Sequence, residues 1–167
     1  MIAIWIIAPI LILLLWLIFR RRNQTDISQP VNGEMPVQWR YTDKSVMMVY
    51  IYLATWLMRK DPRESNGKRE FISTYFKQYF KDNHFNTDTE IQNALKHSVH
   101  IRSVTNWVNK RMHNGHERKQ LIDFLIDLSF VDGDLTQMEY VALARLGELT
   151  GVRLSYLEAE VLRRKKA

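Results

Sequence analysis

The sequence predicts an all-α protein: one apolar N-terminal helix followed by a compact bundle of about seven short helices. Three observations lead there. From Asp43 onward apolar residues recur at helical spacing, and no segment alternates with a period of two. Helix-start signatures of the form Thr/Ser-x-x-Glu occur at Thr87, Thr136 and Ser155. An uncharged run, Ile2 to Phe19 (IAIWIIAPILILLLWLIF), precedes all of this.

At about 1.5 Å per residue that run matches the roughly 30 Å hydrocarbon core of a bilayer. Pro9 is tolerated in a membrane helix, and Trp5 and Trp16 stand near its ends, where aromatic belts form. A cleaved signal peptide would need basic residues before a shorter apolar core, then a small-residue cleavage site. Here Arg20, Arg21 and Arg22 come after the run and no Lys or Arg precedes it. The expectation is an uncleaved anchor over residues 1–22, with Trp16 and Arg20 to Arg22 at the membrane interface. The positive-inside rule then sets the N-terminus outside and the remainder in the cytoplasm, on the inner face of a single-pass membrane protein.

Asn23 to Thr42 holds Pro30, Pro36, Gly33 and several polar residues without a helical period, and reads as a linker. The helical domain is expected over residues 43–163. Its first helix, about 43–60, carries Val46, Val49, Tyr50, Leu53, Trp56 and Leu57 on one side. The second, about 68–81, has Phe71, Ile72, Tyr75, Phe76, Tyr79 and Phe80 as a core stripe. A third opens at Thr87, which with Glu90 forms a capping box. The fourth, about 99–112, turns Val104, Trp107, Val108 and Met112 inward, and Asn114-Gly115 breaks it. The fifth, about 117–130, buries Leu121, Ile122, Leu125 and Leu128. A sixth runs to Thr150, where Gly151 suits a left-handed stop and Val152 the contact beyond it. Ser155 and Glu158 open a seventh, which ends in a basic tail at 164–167.

The formal charge of +6 sits mostly at the ends. Arg20 to Arg22 and Arg163 to Lys166 supply seven of the 24 basic residues, and the remainder of the chain is close to neutral. That argues against nucleic acid, which needs a basic stripe on the folded body. It suits attraction to anionic membrane lipids instead. The absence of cysteine fits a reducing compartment.

Chemistry concentrates in FVDGDLTQMEY, Phe130 to Tyr140. Against the calcium loop D-x-[DN]-x-[DN]-G-x5-E, Asp132 is the last acid before Gly133, Leu135 is the apolar position, and Glu139 falls at the bidentate position. The first two ligand positions would be Leu128 and Phe130, so this is half a loop. The same residues also make a sharp helix–helix corner. Gly133 supplies a positive φ, Thr136 and Glu139 form a capping box, and Asp134 sits near the positive end of the next helix. His97/His100 and His113/His116, each three apart, would each need a shared helix to present one zinc ion. No phosphate loop, G-x-S-x-G elbow or H-E-x-x-H pair occurs, so an enzyme is not expected.

The corner and its flanking helices, LIDFLIDLSFVDGDLTQMEYVALARLGELTGV (Leu121 to Val152), resemble the second half of the TerB-like (tellurite-resistance) helical domain. That domain is internally duplicated, with a similar acidic corner between its early helices. Asp61 to Glu70, DPRESNGKRE, occupies that place here, with Asn66-Gly67 where Asp-Gly is the pattern. The resemblance covers about residues 43–163. It implies sensing or docking rather than turnover of a substrate, with a divalent ion such as calcium or zinc at the acidic corners. Asp132, Asp134 and Glu139, joined by Asp61 and Glu70 from the facing corner, are then the ligands. An anchor followed by this domain is also similar to the front part of DjlA-type J-domain co-chaperones, although no His-Pro-Asp motif occurs in this sequence. The functional expectations are therefore a membrane-held module docking protein partners, such as a chaperone or a membrane complex, a metal-responsive sensor in envelope or metal stress, or the regulatory part of such a co-chaperone.

Overall fold

Ser45 to Leu57, SVMMVYIYLATWL, is apolar on nearly every side, and a helix of that kind must be surrounded. A computed structural model, which describes residues 39–61, 66–80, 85–97 and 99–166, makes it the axis of the fold. Seven helices and no strand are present among these residues: α1 (Asp43–Met58), α2 (Asn66–Tyr79), α3 (Thr87–Lys96), α4 (Ile101–Arg111), α5 (Gly115–Phe130), α6 (Gln137–Thr150) and α7 (Leu154–Lys165). Helix α1 touches α2, α3, α4, α5 and α6, while α7 packs on α5 and α6 from outside. All residues from Ser45 to Thr55 are buried. The one-sided stripe expected for α1 is therefore too narrow, because neighbours cover it all round.

Aromatic rings fill the space between α1, α2 and α5. Phe124 sits at their centre, with ring centroids 4.9 Å from Tyr50, 4.7 Å from Tyr75 and 5.7 Å from Phe71. Ile72 and Phe76 of the expected α2 stripe are fully inside, Phe71, Tyr75 and Phe80 are partly covered, and Tyr79 is exposed. The buried sets expected for α4 and α5 are all inside.

Helix ends explain most boundary differences. Asn86, not Thr87, caps α3: its Oδ1 accepts from the Thr89 N–H at 3.1 Å. Asparagine is the stronger cap, and the earlier start sets Asp88 and Glu90 in the positive first turn. Ser155 is not a cap either, since α7 begins at Leu154 after Arg153 with no side-chain cap. A box absent from the sequence reading opens α1. Ser45 Oγ accepts from the Thr42 N–H at 2.9 Å, and Thr42 Oγ1 accepts from the Ser45 N–H at 3.2 Å. Serine here replaces the usual Glu or Gln. Gly151, at φ 72°, stops α6 as expected. The carbonyls freed there accept from neighbours: Asn109 Nδ2 donates to Leu149 and Arg118 Nη1 to Thr150.

Both domain limits shift outward. Trp39, within the expected linker, is buried, stacks on Tyr52, and accepts a 3.1 Å hydrogen bond at its carbonyl from Trp107 Nε1. Arg164, expected in a basic tail, is largely covered on α7 and bonds Asp127 and Glu160. Among the described residues no helix is long and apolar enough to cross a membrane. The expected anchor, with Trp16 and Arg20 to Arg22, lies outside the described residues.

Candidate functional site

Two corners face each other at one end of the bundle, the first before α2 and the second between α5 and α6. The second is built as the sequence predicts. Gly133 takes φ 106°, where any Cβ is strained. The Glu139 N–H donates to Thr136 Oγ1 at 3.2 Å, and Glu139 Oε2 accepts from the Thr136 N–H at 2.9 Å and from its hydroxyl at 2.8 Å. This box leaves Oε1 of Glu139 pointing across the gap.

What meets it is Lys68, from the first turn of α2. Its Nζ donates to Glu139 Oε1 at 2.9 Å and to Asp61 Oδ2 at 2.6 Å, with Asp132 Oδ2 at 3.4 Å. The Lys68 side chain is only 2% exposed, and those of Asp61 and Glu139 are fully covered. A cation at a helix N-terminus works against the helix dipole by about 0.3–1 kcal/mol. Hydrogen bonds to charged groups contribute about 1.5–3 kcal/mol each, so the two carboxylates decide the placement. Burial alone pushes the Lys68 ammonium toward deprotonation, but Asp61 and Glu139 outweigh it and hold its pKa above the ordinary value.

Three of the five expected metal ligands, Asp61, Asp132 and Glu139, thus converge from sequence-distant corners, and the cation they share is a lysine. Asp134 and Glu70 do not join them; both are exposed. The ammonium sits where a calcium or zinc ion bridging the corners would have to sit. Among the described residues no group of three or more His, Asp or Glu is arranged to hold a metal ion. The histidine pairs fail for a local reason. His97 ends α3 while His100 precedes α4, and His113 lies between helices while His116 is in α5, so neither pair shares a helix.

Sequence reasoning passed over Lys68. The signal was present: the buried residues of α2 are Lys68, Ile72 and Phe76, one every four positions. The lysine continues the core stripe back by one turn. Removing the box that orients Glu139 tests the coupling. Thr136→Ala is expected to lower stability by about 1–2 kcal/mol, read as a lower urea midpoint with an unchanged slope.

Compared with protein-family models, curated proteins and solved structures, the chain gives no match. A covered ammonium held by carboxylates from both corners fastens α2 to the α5–α6 turn.

Proposed function

We propose that this chain is a membrane-held, TerB-like helical module that docks protein partners on the cytoplasmic side, without turnover of a substrate. The observation that carries the reading is the Lys68 ammonium between Asp61, Asp132 and Glu139. It gives the acidic corners an internal structural role and so favours a rigid docking body over a metal sensor. The uncharged run at residues 2–19 with arginines behind it supports the tether. The near-neutral charge between the two basic ends supports a protein partner over nucleic acid.

The test uses the full chain in its native membranes. A photo-crosslinking residue at Met138 or Val141, both exposed apolar positions of α6, and at Tyr79 on α2 surveys two faces of the domain. One face is expected to yield a discrete protein adduct, lost when the same position carries an added charge. Adducts to lipid alone, or none on either face, would remove the docking reading. Melting of the purified chain in millimolar calcium or zinc is the second arm. No shift is expected, and a rise of several degrees would replace docking by metal sensing.

A further inference from the structure

Beside α1, and away from the lysine cluster, lies a cavity of about 270 Å³ walled largely by tyrosine. Tyr41, Tyr50, Tyr75, Tyr79 and Phe80 supply rings, and Glu117 supplies the one carboxylate. The walls are braced by ring contacts. Tyr41 stacks on Trp107 with the rings 5° from parallel, Tyr75 lies 4.4 Å from Tyr79, and Tyr50 lies 5.9 Å from Phe80. Tyr79 is 61% exposed and Tyr41 47%, so two rings stand open to solvent at the mouth.

Glu117 is half-buried and makes no ion pair with a basic side chain among the described residues. Its carboxylate faces the tyrosines: burial and then Glu117 raise the Tyr41 hydroxyl pKa. Tyr50 is raised too, by burial first, then by Tyr75, with Glu117 a smaller cause. Aromatic faces attract cations, and a carboxylate without a basic partner completes the charge. The cavity is smaller than the roughly 300–1,000 Å³ that encloses a whole small ligand, and so suits one side chain.

We propose that this cavity receives an arginine side chain of a docked protein partner, its guanidinium stacked on tyrosine and paired with Glu117. The flat guanidinium matches both features: it stacks on rings and offers a carboxylate two parallel N–H groups. A quaternary ammonium would use the rings but offer the carboxylate no N–H group. The inference rests on the docking reading and names the chemistry of the partner.

The test uses the full chain in detergent with ring-labelled tyrosine, and N-acetyl-arginine methylamide as the probe. Saturable shifts of tyrosine resonances are expected, with the uncharged citrulline analogue binding at least about ten-fold more weakly. Glu117→Gln is expected to weaken the arginine probe by about the same factor. Tyr79→Ala, an exposed change that leaves the core intact, should weaken it about two- to five-fold. Equal binding of arginine and citrulline, no tyrosine shift at any probe concentration, or full affinity in Glu117→Gln with an unchanged circular dichroism spectrum would overturn the proposal. So would tighter binding of the trimethyl-lysine analogue. Because the probe is a small molecule, its failure leaves the crosslinking result standing, and a missing crosslink leaves the probe result standing.

Discussion

Lys68→Met is expected to destabilise the domain by about 3–5 kcal/mol, the cost of removing the ammonium that the buried carboxylates share. That is a large share of the roughly 5–15 kcal/mol that holds a typical domain folded. The substitution keeps most of the apolar stem, so lost packing is a minor part of the effect. Asp61 and Glu139 are fully covered and both bond the missing Nζ, so neither can turn to water for compensation. Urea unfolding at neutral pH measures the loss. A Lys68→Met, Asp61→Asn, Glu139→Gln triple variant should recover part of it, because the stranded charges are then gone. Full stability in Lys68→Met alone would show that the cluster is not closed from water.

The same group sets a pH dependence. The folded pKa of Lys68 lies above the ordinary 10.5. A raised lysine contributes stability that is fully present below its unfolded pKa and lost as pH rises through the folded value. Wild type is therefore expected to weaken above about pH 10.5 through this group, and Lys68→Met to lack that component.

Phe124→Ala is expected to cost about 3–5 kcal/mol, the range for deleting a buried aromatic ring. Phe124 is 1% exposed, and its ring meets Tyr50, Phe71, Tyr75 and Phe76. The void would open between α1, α2 and α5. Phe124→Leu fills much of it and should cost no more than about 1–2 kcal/mol. Denaturation followed by near-ultraviolet circular dichroism reads both variants. The arginine probe adds a separate readout. Phe124 does not line the tyrosine cavity, yet it backs Tyr50 and Tyr75, which do. Any Phe124→Ala protein that stays folded should bind the probe more weakly, and Phe124→Leu should restore binding.

Local signals made much of this fold legible. The apolar stripes of α4 and α5, the Thr136–Glu139 box and the Gly151 stop each depend on residues within a few positions of one another. Where two local signals competed, the reading slipped by a residue or two. Asn86 outranked Thr87 as a cap, and Leu154 began α7 ahead of Ser155. The larger omissions are long-range. Trp39 looked like linker because its partner Trp107 is 68 positions away. Lys68 carried no local signal of its role because its partner Glu139 is 71 positions away. The convergence of Asp61, Asp132 and Glu139 was foreshadowed by the pair of acidic corners. The identity of the cation between them was not, because a lysine reads as solvent-exposed until a carboxylate is known to face it.

The indole hydrogen bond from Trp107 to the carbonyl of residue 39 has a mechanical consequence. Any displacement of the backbone at residue 39 is passed to α4 through this contact as well as along the chain to α1. Tyr41, two residues further on, stacks on the same Trp107, so such a displacement also moves one wall of the tyrosine cavity.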